Sequence, residues 1–135
     1  MMKRSLMAIV AAASLFTLSQ AFAAGDAAKE IATAQVHAQM AATVKDINMV
    51  HAHLHHVLNC LVGPKGKLYD ATAEDPCKGM GDGALNDLGN SPKVRAKLEL
   101  AVKRAEMGTK ATTYKKAHAA ARKTEALLKQ AGAGK

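Results

Sequence analysis

The stretch DAAKEIATAQVHAQMAATVKDINMVHAHLHHVLNCLV, residues 26–62, decides the fold, because it contains neither Pro nor Gly. Asp26 is a residue type that caps helix N-termini, and the next helix-breaking signal is Gly63-Pro64. Large apolar residues recur at the spacing of a helix that packs along a partner, at Val36, Met40, Val44, Ile47, Leu54, Leu58 and Leu61. The stretch predicts one continuous helix over residues 26–62.

The composition changes sharply after this stretch. Glycines, two prolines and several carboxylates crowd into residues 63–91, which predicts a long Gly-rich loop with at most one short helical turn near residues 84–88. Ser91-Pro92 is a typical helix start, with Ser as the N-cap and Pro in the first turn. Because Gly108 interrupts the following pattern, we expect a kinked or two-part helix over residues 92–130.

The whole chain has 135 residues, only four aromatic residues and a hydrophobic fraction of 49% that is largely Ala. This composition excludes a β-sandwich or barrel and indicates an all-α protein. The expected architecture is an antiparallel helical hairpin or a three-helix bundle. Two helices bury little apolar area, so a homodimer that completes a four-helix bundle is a candidate assembly.

The first residues are typical of a secretory signal peptide. Lys3 and Arg4 precede an apolar segment, and Ala21-Phe22-Ala23 offers a small-x-small cleavage site. The apolar segment is shorter than the roughly 20 residues that a membrane-spanning helix needs. We therefore expect cleavage of residues 1–23, no membrane span afterwards, and a single domain over residues 24–135 in the periplasm or outside the cell.

The chain has two cysteines, Cys60 and Cys77. In an oxidising compartment such a pair predicts a disulfide that clasps the loop to the first helix. A loop of this size stabilises a small domain by about 3 kcal/mol in the chain-entropy model. A free thiolate ligand and an intermolecular bridge are the alternatives.

Four of the six histidines fall within residues 51–56. Neutral imidazole is a common ligand for Cu, Zn and Ni, and helical pairs three or four residues apart chelate well. This cluster predicts a transition-metal site with His51, His53, His55 and His56 as the principal ligands.

The four imidazoles do not share one helix face. At about 100° per residue, His51 and His55 lie beside the apolar stripe, whereas His53 and His56 lie nearly opposite, on the face of Met49 and Cys60. The clasped loop brings carboxylates such as Glu74 towards that second face. The additional candidate ligands are Met49, Asp70, Asp75, and a separate pair formed by His37 and His118.

Other uses of the histidines remain open at this point. They can form a packed face or a surface that responds to pH. A haem is not expected, because the mature chain has too few aromatic and large apolar residues to enclose a porphyrin. No catalytic grouping of Ser, His and acid is evident, so an enzyme is not expected.

The C-terminal third carries a second signal. Residues 92–135 contain twelve Lys or Arg against three Glu, within a chain of net charge +8. Such a run is usually a solvated helix face. The alternative function is a structural or adaptor module whose basic helix contacts a polyanionic envelope component, whereas nucleic acid is not expected. The candidate contacts are Lys103, Arg104, Lys115, Lys116, Arg122 and Lys123.

Overall fold

The computed structural model describes residues 25–134, so the predicted signal peptide lies outside the described residues. The described part contains five helices and no strand, which confirms the all-α class. The helices are α1 (Ala27–Thr43), α2 (Ile47–Val62), α3 (Ala84–Asp87), α4 (Pro92–Thr109) and α5 (Tyr114–Gly132). Between residues 25 and 134, no helix combines the length and the apolar content needed to cross a bilayer.

The four long helices form a ring. Helix α1 packs against α2 and α5, α4 packs against α2 and α5, and α2 also contacts α5 across the bundle. A single chain therefore supplies the four helices of a bundle, rather than the two or three expected from the sequence. Four helices give this Ala-rich chain several helix–helix interfaces, where a hairpin would have one.

The predicted helix over residues 26–62 is divided in two by a short extended segment. Val44 ends α1 with extended backbone (φ −69°, ψ 151°), and the Asp46 side chain caps α2 by accepting from the Met49 amide at 3.0 Å. The Thr43 hydroxyl also donates to the Gln39 and Met40 carbonyls in the last turn of α1. Capping at Asp46 replaces the lost helical hydrogen bonds, and α2 folds back along α1.

The C-terminal helix is also in two parts. Helix α4 ends at Thr109 and α5 begins at Tyr114, so the break follows Gly108 rather than falling on it. Gly108 itself is helical and buried. A Cβ atom on Gly108 would lie 2.4 Å from Leu54 Cδ1, so this glycine allows α4 to approach α2 closely.

The core face of α1 is mostly alanine, with the larger Glu30 and Ile31 buried near its start. Val36 and Met40, expected in the core from their spacing, are 48% and 41% exposed. The buried side chains of α1 include Ile31, Ala34, Ala38 and Ala41, and those of α5 include Ala117, Ala121, Leu128 and Ala131. Alanine faces let α1 and α5 approach closely, and larger core residues such as Leu54, Leu61 and Leu98 come from α2 and α4.

The loop over residues 63–91 folds against the bundle and is attached to α2. Cys60 and Cys77 form the predicted disulfide, with an S–S distance of 2.00 Å. At the residue before Cys60, the buried Asn59 side-chain amide donates to the Asp70 and Glu74 carbonyls at 3.0 and 3.2 Å, and its oxygen accepts from the Asp70 amide at 2.9 Å. These bonds fix the segment from residue 70 to residue 77 across one face of α2.

Candidate metal centre

Three histidines from two helices meet where α1 and α2 run side by side. His37 Nδ1 lies 3.2 Å from His53 Nδ1 and 3.2 Å from His56 Nδ1. The three ring centroids lie 4.9 to 5.5 Å apart, and within residues 25–134 this is the one group of three potential metal-ligating side chains whose ligand atoms all lie within 4.8 Å of one another. The Nδ1 atom of His37 therefore faces the Nδ1 atoms of both other rings.

Neutral imidazoles cannot satisfy this arrangement by hydrogen bonding alone. Each Nδ1 either carries one proton or offers one lone pair in the ring plane. His37 Nδ1 can therefore make one good hydrogen bond at most, although it faces two nitrogens at 3.2 Å. A cation bound to three lone pairs would satisfy all three nitrogens at once and leave each Nε2 protonated.

The spacing of the nitrogens suits a small transition-metal ion. With metal–nitrogen bonds of about 2.0 to 2.1 Å, two ligands of a tetrahedral zinc site are about 3.3 to 3.4 Å apart. The two Nδ1–Nδ1 distances of 3.2 Å in the protein are close to this ligand–ligand distance. Two of the three ligand separations of such a site are therefore already present, and the trio could supply three of four tetrahedral ligands.

Burial keeps these imidazoles in the form that binds metal. His56 is only 9% exposed, and His37 and His53 are half-buried. Removal from water lowers the pKa of His37, His53 and His56 below the usual 6.5, and charge repulsion from neighbouring imidazolium groups lowers the pKa of His37 and His56 further. All three rings are therefore predominantly neutral at pH 7.

Glu74 adds a negative charge on the loop side of the trio. Its carboxylate partly opposes the downward pKa shifts of His37 and His56, which identifies it as the acidic group that acts on both rings. The backbone of Glu74 is held by Asn59, and the segment is fixed again at the Cys60–Cys77 disulfide. Glu74 is thus placed to orient or complement a cation at the trio.

Two other histidines form hydrogen bonds with backbone carbonyls near helix ends. His51 Nε2 donates to the Ala111 carbonyl at 3.0 Å, in the connection between α4 and α5. His118 Nε2 donates to the Ala42 carbonyl at 2.8 Å and stacks on Tyr114. Ala42 belongs to the last turn of α1, where carbonyls have no helical partner. These two imidazoles therefore connect the helices of the bundle.

His55 faces the loop and not the trio. Its Nδ1 lies 3.3 Å from Asp70 Oδ2, without hydrogen-bond geometry, so the contact is electrostatic and depends on protonation of the ring. Asp70 is otherwise bonded to Thr72, whose hydroxyl and amide lower the pKa of the Asp70 carboxyl. The four clustered histidines thus have three different surroundings.

The remaining candidate ligands lie apart from the three nitrogens. Asp75 accepts from the Tyr69 hydroxyl and the Cys77 amide, which are contacts within the loop. Met49 is 46% exposed on the surface of α2, and Cys60 is consumed by the disulfide. Of the predicted ligands, the structure brings together His53, His56 and His37, the last of which the sequence paired with His118.

His37 is the candidate ligand whose two neighbours the sequence analysis did not predict. A signal for its position was present, because Asp46 is a potential N-cap that follows the β-branched pair Thr43-Val44. A fold-back centred on Lys45 puts residue 37 opposite residue 53. The position of His37 follows once that break is recognised.

The chain has no significant match among protein-family models, curated proteins or solved structures.

Proposed function

We propose that the protein binds a divalent transition-metal ion through His37, His53 and His56, and that holding this ion is its function. The observation that carries the proposal is the convergence of three Nδ1 atoms, with His37 Nδ1 at 3.2 Å from each of the others. Burial, which keeps the rings neutral at pH 7, supports the same conclusion.

The ligand set favours copper(II), zinc or nickel over harder cations. Imidazole nitrogen suits these three ions, whereas Ca²⁺ and Mg²⁺ prefer oxygen. Copper(I) would require soft sulfur ligands, but the two cysteines form a disulfide and Met49 is not part of the trio. The fourth position would be taken by water, by Glu74 or by a group from another molecule.

We further propose that the ion is held in the periplasm or outside the cell. The signal-peptide pattern of residues 1–23 and a disulfide between the two cysteines support this location. A small exported protein with one three-nitrogen site suits storage or transfer of a metal ion, and we propose binding and not catalysis as its role.

Calorimetric titration of the exported protein with Cu²⁺, Zn²⁺ and Ni²⁺ tests the proposal, together with elemental analysis of untagged protein from its native compartment. We expect one equivalent of metal per chain and a Kd below about 10 μM for at least one ion, which corresponds to more than about 7 kcal/mol of binding free energy. Weaker binding of all three ions would remove the proposed function.

The matched pair of variants is His53→Ala and His51→Ala, which remove the same side chain two residues apart on α2. The first removes a ligand of the trio, and the second removes the contact with Ala111. Loss of binding in the first alone supports the assigned site.

A further inference from the structure

A cationic groove runs along the outer seam between α4 and α5, away from the three histidines. Its cavity of about 380 Å³ is lined by Arg104 and Lys110 on one side and by Lys116 and Lys123 on the other. No acidic residue lines this cavity in the described part of the chain. Two helices of like charge thus border one concave surface.

Small residues bring these two cationic rows together. The facing surfaces of α4 and α5 are buried at Ala101, Ala105, Gly108, Ala117 and Ala121. At Gly108 an added Cβ atom would lie 3.0 Å from Ala120 Cβ, so the two helices pass at close range. The long basic side chains therefore flank a narrow floor of Ala119, Ala120 and Met107.

Most of this positive charge is uncompensated. Among the ion pairs within residues 25–134, Lys110 pairs with Glu106, whereas Arg104, Lys116 and Lys123 pair with no carboxylate. Like charges held in one groove repel each other, and an anion that neutralises them is favoured. The planar guanidinium of Arg104 suits a phosphate, which it can bind with two parallel hydrogen bonds.

The groove continues into an apolar section. A neighbouring cavity of about 270 Å³ shares Arg104 and Lys123 and is otherwise lined by Leu100, Ala126, Leu127 and Gln130. Leu100 and Met107 are 48% and 52% exposed, so both present apolar surface beside the basic side chains. The complementary ligand has a negative head group next to a hydrocarbon chain.

We propose that the α4–α5 groove binds a phospholipid with a net negative head group. The phosphate lies among Arg104, Lys116 and Lys123, and the hydrocarbon chain lies on Leu100 and Leu127. This is binding of one lipid on the protein surface, and it does not depend on the metal proposed above.

The three basic doublets of the C-terminal helices supply a matched control. Each doublet places one member in the groove and leaves its neighbour out of the lining: Arg104 but not Lys103, Lys116 but not Lys115, and Lys123 but not Arg122. The triple variant R104Q/K116Q/K123Q and the triple variant K103Q/K115Q/R122Q therefore lose the same charge from adjacent positions.

Calorimetric titration with monomeric lysophosphatidylglycerol tests the proposal, with the neutral lysophosphatidylcholine as the comparison ligand. We expect the groove variant to bind lysophosphatidylglycerol at least about tenfold more weakly than wild type and the control variant to change by less than about twofold, because only the groove residues contact the phosphate. Zinc titration of both variants should give the wild-type result. Binding to vesicles of phosphatidylcholine with and without phosphatidylglycerol shows whether the lipid is also taken from a bilayer.

Equal losses in the two triple variants would overturn the proposal, because they would show a response to net charge and not to the groove. Equal binding of the two lysolipids, or binding of inorganic phosphate as tight as that of lysophosphatidylglycerol, would also overturn it. Leu100→Glu provides an independent variant at an exposed position. Its carboxylate should weaken lysophosphatidylglycerol binding without affecting the fold, and unchanged binding would contradict the assigned hydrocarbon contact.

Discussion

Two sets of histidines in this protein have the same chemistry and opposite surroundings. His37, His53 and His56 turn their Nδ1 atoms towards one another, whereas His51 and His118 donate to backbone carbonyls and His55 faces Asp70. In the second set a backbone carbonyl or a carboxylate lies beside each ring. In the first set a ring nitrogen faces another ring nitrogen. The comparison teaches that a candidate metal site is marked by ring nitrogens that face one another across two helices, and not by histidines that are close in sequence.

The largest difference between the sets should appear when a ligand is removed. His37→Ala takes away the nitrogen that lies 3.2 Å from both others, and we expect metal affinity to fall at least about 100-fold, or about 2.7 kcal/mol. Calorimetric titration with zinc measures this change. His118→Ala is the control from the second set, and its zinc affinity should stay within about threefold of wild type. A comparable loss in both variants would remove the distinction.

Lower pH should weaken metal binding by the first set. Because burial lowers the pKa of each ring in the trio below 6.5, zinc affinity should be nearly constant above that pH and fall as protons occupy the nitrogens below it. Between pH 7 and pH 5 we therefore expect the zinc affinity to fall, measured by competition with a chelator of known affinity. The contradicting result is an affinity that rises, or does not change, as the pH falls through this range.

The same pKa shifts affect the metal-free protein. A ring whose folded pKa lies below its unfolded value contributes stability above the unfolded pKa, and this contribution is lost as the pH falls. The free energy of unfolding should therefore decrease below pH 6.5 in wild type, and less steeply in the triple Ala variant of the trio. Urea titrations across this pH range measure both slopes.

Two loop carboxylates offer a smaller and sharper test. Glu74 acts on His37 and His56, and Asp70 lies beside His55. Glu74→Gln should weaken zinc binding about tenfold, which is the low end of the effect of residues that support a metal ligand. Asp70→Asn should leave zinc binding nearly unchanged. If the two variants exchange these results, His55 and not the trio holds the ion.

The smallest expected effect is on stability. His51→Ala removes a hydrogen bond to the Ala111 carbonyl, and we expect a loss of about 1 kcal/mol in the free energy of unfolding. His53→Ala should cost less in the metal-free protein, because no backbone carbonyl depends on that ring. Chemical denaturation of both variants without metal measures the difference. A greater loss of stability for His53→Ala would mean that the three rings serve to pack α1 against α2.

The sequence predicts the elements of this fold better than their arrangement. The helical class, the clasping disulfide and the division of the four clustered histidines between helix faces follow from composition, cysteine count and the 100° period. The break at residues 44–46 is harder to predict, since it involves no Pro or Gly and depends on Asp46 capping α2. Tertiary packing also puts Ala34 and Ala38 in the core in preference to the larger Val36 and Met40.

Only part of the candidate site can be predicted from the sequence. His53 and His56 are three residues apart on one helix, so local geometry puts them together. His37 joins them only because α1 folds back on α2, and no helical period relates it to them. Likewise, the acceptors of His51 and His118 lie 60 and 76 residues away along the chain, so neither contact has a local signal.

The most direct test is a crystal structure of the zinc-loaded protein with anomalous data recorded at the zinc edge. We predict one strong peak among the Nδ1 atoms of His37, His53 and His56, about 2.0 to 2.1 Å from each. A peak at His51, His55 or His118 with none at the trio would contradict this account, as would crystals treated in turn with zinc, copper(II) and nickel that show no peak on the protein.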